Sequence, residues 1–298
     1  MQDFKVLSLI NNGFINNLIV GYYSSKYDEQ TSGLILLLVF NYKINDVAKD
    51  IYTTTAKLSM AYLIAVSGFQ ISLCKWILNK IIPSKYGKII GTITFVTLYT
   101  YLLNFNPGPT RVLLCSIIPY CFSKYKLSKY DYLAISGLIN LLIEPVVVVD
   151  YGFLMSYLCT YVVMWIFAME IKNKFFLSFL LNLGCTIVTI PLMSWMHSGV
   201  SLTQFFVNFA LTPVISFYYV YFLFTFWIVW IAPAQQFIAH SLYSFVYALN
   251  ELNIVVSFPK FNEAFTCVYF VGMAGGFFAY ENKVMNKELN SELKIPPL

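Results

Sequence analysis

FFLSFLLNLGCTIVTIPLMSWM, residues 175–196, and, five residues later, LTQFFVNFALTPVISFYYVYFLFTFWIVWI, residues 202–231, decide the fold of this chain. From 175 to 250 there is no Lys, Arg, Asp or Glu at all. A helix crossing the hydrocarbon core of a bilayer needs about 20 predominantly apolar residues, so this region alone is long enough for at least two spans. The remainder of the 298 residues keeps the same character: 59% are hydrophobic, 18% aromatic and only 11% charged. A water-soluble fold carries roughly 25% charged residues to cover its surface. Most of the outside must therefore face lipid. The fold class expected is an all-α polytopic membrane protein, multi-pass in the cell membrane.

Working outward, apolar runs predict further spans over 58–82, 89–105, 109–122, 132–143 and 152–168, and a last one over 265–280. Several fall short of about 20 residues, which predicts tilted or broken helices. Segment 237–258 is ambiguous, because His240, Asn250, Glu251 and Asn253 interrupt its apolar run; it can span, re-enter or lie at the interface. Upstream, Phe4, Leu7, Ile10, Phe14 and Leu18 form a helical stripe interrupted by asparagines, read as an interfacial amphipathic helix. Stretches 34–40 and 44–57 are too short to span and are expected to lie on or dip into the membrane. The expectation is therefore about eight or nine transmembrane or re-entrant helices preceded by interfacial ones. Three parts result: an N-terminal amphipathic region over 1–60, a transmembrane domain over 61–280 and a tail over 281–298.

Lysine placement orients this arrangement, since basic residues concentrate at cytoplasmic ends of spans. Lys80, Lys85 and Lys88 follow the first span, Lys124, Lys126 and Lys129 the third, and Lys172 and Lys174 the fifth. The connections around 106, 146 and 199 carry no lysine. The lysine loops, and the tail with Lys283, Lys287 and Lys294, are thus expected in the cytoplasm. By parity, 237–258 must then cross as well. The formal charge of +5 is modest and mostly cytoplasmic by this topology.

Several classes of chemistry are disfavoured. The six cysteines (74, 115, 121, 159, 185, 267) sit in apolar runs without CxxC or paired spacing, so neither a disulfide framework nor a metal site is expected, and no cofactor is implied. They read as small buried hydrophobes. No GxxxxGK[ST] nucleotide-binding motif is present. The chain is not expected to be an enzyme.

Unsatisfied polar groups in lipid cost several kcal/mol each unless they are buried in protein or line a wet cavity, so polar or helix-breaking residues inside apolar sequence mark the candidate sites. Ala65-Val66-Ser67-Gly68-Phe69-Gln70 offers close backbone approach and two polar side chains; helix packing through small residues explains it as well as a cavity wall. Asn104-Phe105-Asn106-Pro107-Gly108-Pro109-Thr110-Arg111 must break the helix and delivers the only arginine into the next apolar run. An intramembrane guanidinium faces a bundle interior or a water-filled cavity, with phosphate or carboxylate as natural partners. The alternatives are snorkelling to the interface or a structural pair with Asp150 or Glu144. Glu144-Pro145, then Asp150-Tyr151-Gly152-Phe153 and Ser156, make a turn with two carboxylates that either pair with Arg111 or sit in water.

In this order the segments resemble the competence domain of the ComEC family, the integral membrane channel for DNA uptake in bacterial transformation, over roughly 33–280. The family's run of His, two Leu and Ala-Ile-Ser-Gly-Leu-His-Val is similar to Tyr62-Leu63-Ile64-Ala65-Val66-Ser67-Gly68-Phe69-Gln70-Ile71. Its Gly-x-Ser-Pro-Ser-x-x-Arg-Ala element resembles Asn104 to Val112 and places the family's Arg on Arg111. Its Asn-Pro and Asp-Pro-Gly-Phe-Gln-Leu-Ser-Phe elements resemble Glu144-Pro145 and Asp150 to Tyr157. A later Ser-Leu, an Asn-Leu-Leu and a mid-helix Pro are matched by Ser201-Leu202, Asn208-Phe209-Ala210 and Pro213. Both signature His positions are replaced here, by Tyr62 and Gln70, and the Gln of the third element is Leu154, so roles of those groups do not carry over. Longer family members add an oligonucleotide-binding-fold domain and a metallo-β-lactamase-like nuclease. With only His197 and His240, this chain cannot supply a nuclease-type histidine cluster.

The resemblance implies a channel for single-stranded DNA. Such a path needs sparse positive charge and aromatic or polar walls, because a strand carries one charge per nucleotide and stackable bases. Arg111 with Ser67, Gly68, Gln70, Asn106 and Asn208 is expected to line it; Pro107, Gly108, Pro109, Pro145, Asp150, Gly152, Ser156 and Pro213 shape the breaks around it. Partners implied are single-stranded DNA, the lipid bilayer, an extracellular DNA receptor or nuclease, and a cytoplasmic ATPase or strand-binding protein. A secondary transporter of a small anionic solute fits broken helices and an isolated arginine too. A hydrolase with Ser67 as nucleophile and His197 or His240 as base is a third reading.

Overall fold

Helix boundaries follow the polar punctuation between the apolar runs. The computed structural model describes residues 17–42, 46–57, 68–125, 127–196, 200–201, 204–225, 227–251, 255–256, 268–273 and 275–276. After a helical stretch over 17–26 come α1 (Glu29–Phe40), α2 (Asp46–Lys57), α3 (Gly68–Ile81), α4 (Lys85–Leu102), α5 (Pro107–Cys121) and α6 (Lys129–Ile143). A 3-10 turn (Pro145–Val149) leads to α7 (Tyr151–Ala168), α8 (Lys174–Met196) and α9 (Gln204–Thr225). A second 3-10 turn (Val229–Ile231) precedes α10 (Ala232–Glu251), and residues 268–273 are helical. The described residues are otherwise helix and turn, apart from a two-residue antiparallel pair, β1 (Val200–Ser201) with β2 (Val255–Val256), in which Val200 faces Val256.

Side-chain caps explain the starts. Asp28 accepts from the Thr31 N–H at 3.2 Å to open α1, Ser84 from the Gly87 N–H at 3.3 Å to open α4, and Asp150 from the Phe153 N–H at 2.9 Å to open α7. At α6 the capping is reciprocal: Ser128 Oγ accepts from the Asp131 N–H at 3.2 Å, and Asp131 Oδ2 accepts from the Ser128 N–H at 2.7 Å. The 202–231 run holds one long helix, α9, which ends at Thr225 ahead of the second 3-10 turn; α10 begins just beyond the run at Ala232, with Pro233 in its first turn, where a missing N–H costs nothing.

Two hydrophobic clusters organise the helices. The larger joins 17–26, α1 to α5, α9 and α10. At its centre α1 is buried from Thr31 to Phe40, with α2, α9 and α10 packed around it. At about 1.5 Å per residue its twelve residues span roughly 18 Å, too little to cross a bilayer. Its apolar run has no polar face to present to water, so neighbouring helices enclose it and it does not lie at the surface. α2 differs, with Asp46, Lys49, Asp50 and Thr53 exposed and Ala48 and Ile51 buried.

The smaller cluster joins α7, α8 and residues 268–273 through Val162, Ile166 and Val188. α7 and α8 approach closely because Gly184 has no Cβ; one there would come within 2.8 Å of Val162 and 2.9 Å of Ile166. Pro191 inside α8 cannot donate to the Ile187 carbonyl, and Tyr269 Oη fills that vacancy at 2.8 Å. α5, α6 and α7 lie between the two clusters, and the candidate site is there.

Candidate functional site

The break before α5 is built by backbone conformation. Asn104 and Phe105 both adopt left-handed φ, 54° and 53°, which is rare for Phe. The chain then turns into a helix whose first residues are Pro107, Gly108 and Pro109. Pro107 suits the first helical position. Asn106 stands just before it and makes no side-chain cap bond; its carbonyl accepts from the Thr110 N–H at 3.0 Å and from Thr110 Oγ1 at 2.8 Å. One turn into α5, Arg111 points inward and is only 8% exposed.

The guanidinium meets the start of α3. A Cβ on Gly68 would lie 2.1 Å from Arg111 Nη2 and 3.2 Å from the Gly108 carbonyl oxygen, so only glycine allows α3, α5 and the arginine to converge. The guanidinium carbon lies 6.0 Å from the Tyr157 ring centroid, at the outer edge of a cation–π contact. Tyr157 is fixed by α6. Ser136 donates to the Leu133 carbonyl at 2.7 Å, so at the 3.2 Å contact with Tyr157 Oη the tyrosine is the donor. Tyr157 Oη in turn accepts from Asn140 Nδ2 at 2.8 Å, and Cys115 Sγ lies 3.5 Å from Ser136 Oγ.

No carboxylate forms an ion pair with Arg111 among the described residues, and its Nε has no hydrogen-bond partner. The pairing with Asp150 or Glu144 weighed from sequence is not formed: Asp150 is exposed and caps α7, and Glu144 is exposed at the end of α6. A buried cation without an anion is costly. A guanidinium held in this way suits a phosphate or a carboxylate.

Of the residues expected to line a path, Arg111 and Gly68 converge, and Gly108, expected to shape the break, meets them through its carbonyl. Gln70 is buried on the next turn-face of α3 at 2% exposure. Asn208 is fully buried on α9, in the larger cluster, and is not among the described groups around the guanidinium. Ser67 lies outside the described residues, as does His197. Pro145 opens the 3-10 turn, Gly152 lies in the first turn of α7, Ser156 Oγ is buried there without a partner, and Pro213 lies inside α9. His240 sits elsewhere, its Nε2 3.3 Å from Asp28 Oδ2.

Sequence reading missed Tyr157, Ser136 and Asn140, which hold the aromatic face, and Lys75, whose Nζ donates to Ser116 Oγ at 2.9 Å between α3 and α5. Lys75 had a usable signal, being a charge inside the apolar run 58–82. Tyr157 had a weaker one, as the last position of the run Asp150 to Tyr157 matched to the family.

In comparison with known proteins, the model of the competence protein family matches residues 38–283. The chain belongs to the competence protein family. An uncharacterized protein of Mycoplasma pneumoniae is 23% identical over 283 residues, covering 91% of this chain and 72% of that protein. An uncharacterized protein of Mycoplasma genitalium is 22% identical over 219 residues, covering 72% of this chain and 57% of that protein. No solved structure matches.

Proposed function

We propose that this competence-family chain crosses the cell membrane several times and carries single-stranded DNA into the cytoplasm, as a conduit and not as an enzyme. The observation that carries the reading is Arg111, buried beside Gly68 and the Tyr157 ring with no carboxylate paired to it among the described residues. Such a group is retained where a passing anion supplies the missing charge. One guanidinium against a tyrosine face gives a strand a phosphate contact and an aromatic wall without the dense charge that would trap it.

The membrane setting is supported by outward-facing apolar side chains. α7 and the Lys174–Leu192 part of α8 are long and apolar enough to cross, yet only 17% and 28% of those segments are buried. Trp76, Ile90, Leu98 and Leu142 on the shorter helices also point outward. Lipid accounts for these surfaces; water does not. An extracellular receptor or nuclease would deliver the strand, and a cytoplasmic ATPase or strand-binding protein would draw it in.

The same unpaired arginine would serve a transporter of small anionic solutes. Entry of labelled single strands into proteoliposomes separates the two, comparing the unaltered protein with Arg111→Ala and Arg111→Lys at equal membrane content. Loss in Ala with partial recovery in Lys is expected. Entry of a small anion in place of DNA would replace the strand reading, and DNA entry unaffected by either change would make Arg111 structural.

A further inference from the structure

We infer that Lys75 and Arg111 are two successive phosphodiester-binding stations along the seam between α3 and α5. This rests on the strand-transport reading above and extends it from one cation to a path.

Gly68, Ser72, Lys75 and Asn79 recur at helical spacing and form one polar line down α3. Arg111 lies against its first member; Lys75, two turns on, reaches across to Ser116 of α5 at 2.9 Å. Ser116 passes its own proton to the Val112 carbonyl at 2.7 Å, so it offers Lys75 an acceptor but no charge. An ammonium has three protons and the serine takes one. No carboxylate pairs with Lys75 among the described residues. Cys115 is the shared neighbour of both cations. Two cations thus line one seam without a counter-ion. Arg111, buried and with its Nε unpartnered, marks the entrance.

Spacing supports successive use. Seven residues of helix from Gly68 to Lys75 cover roughly 10 Å, whereas a stacked strand advances about 3.4 Å per nucleotide. One phosphate cannot engage both stations, so they hold different phosphates of the same strand. Beyond them Asn79, which accepts from Thr92 Oγ1 at 3.0 Å, and Lys80 continue the line toward the lysine-rich end. Two spaced cations lower the barrier to a polyanion while leaving each contact weak enough to break.

The test is binding of a fluorescent short oligothymidylate to the full-length purified chain over a range of KCl concentrations, with dialysis against inorganic phosphate in parallel. Each phosphate contact contributes about 0.7 to the slope of log affinity against log salt for a single strand. Lys75→Gln should lower the slope by about 0.7, Arg111→Gln by a similar amount and the double change by their sum, while Lys75→Arg keeps the slope. Ser116→Ala, which removes the tether and leaves the charge, should also keep it. An unchanged slope in Lys75→Gln, with only a lower melting temperature, would overturn the proposal and make Lys75 a tether. Loss of slope in Ser116→Ala would do the same. If phosphate binds with the same dependence on both cations but oligothymidylate does not bind, the seam stands and the DNA reading falls. If neither binds, the seam is overturned too.

Discussion

The seam between α3 and α5 and the cluster around α1 handle buried polarity in opposite ways. Around α1 several strong groups that join one helix to another are answered within the protein. Gln235, fully buried, accepts from Tyr27 Oη at 2.5 Å and donates to the Thr225 carbonyl at 2.7 Å and to Thr225 Oγ1 at 3.2 Å. Tyr99 donates to the Val39 carbonyl, Tyr247 to the Asp50 carboxylate, and His240 faces Asp28. At the seam, two cations have neutral neighbours only. Closed polar networks fix a structure. Open ones of a single sign wait for something of the other sign, and on the proposed function that is the physical difference between scaffold and path.

The sharpest way to break that comparison is Arg111→Met. Removing an uncompensated buried charge should leave thermal stability in detergent equal or higher, while strand entry into proteoliposomes falls by at least tenfold. A variant that unfolds would show the arginine to be answered after all. The mirror experiment is Gln235→Leu, which strands Tyr27 Oη and the Thr225 groups. It should cost about 1–3 kcal/mol in denaturant unfolding and leave entry per folded molecule unchanged. Gly68→Ala lies between them: its methyl must displace the guanidinium and press on the Gly108 carbonyl, so entry should drop severalfold with a stability loss of about 1–3 kcal/mol.

Much of the fold was legible, because an apolar run bounded by polar residues has few alternatives. The runs 89–105, 109–122 and 152–168 correspond to α4, α5 and α7 within a few residues. Burial depth was less legible. Leu34 to Phe40 reads as too short to span, yet nothing in those residues says that α9 and α10, some 170 residues later, close over them. Arg111 stood out because a single arginine in an apolar chain has a large desolvation cost. Its surroundings did not, since Gly68 and Lys75 come from one run and Tyr157 from another, and they meet α5 only through packing.

The smallest expected effect lies outside the apolar segments, at the start of α6. Hydrogen bonds from the Ser128 N–H and hydroxyl hold the Asp131 carboxyl below the usual carboxylate range. A carboxylate whose value is depressed on folding adds stability above its unfolded value and loses it as pH falls through the folded one. Ser128→Ala removes the cap for α6 and should cost about 1 kcal/mol at neutral pH. Lowering the pH into the acid range should shrink the gap between the variant and the unaltered protein, because protonated Asp131 no longer gains from the Ser128 hydroxyl, the one donor to it that the variant lacks. Melting curves of both proteins at neutral and acidic pH measure that gap. A gap that widened on acidification would mean that the α6 cap is not the reciprocal pair. Strand entry should be indifferent to this change, since the cap's two polar groups answer each other and touch neither Arg111 nor Lys75.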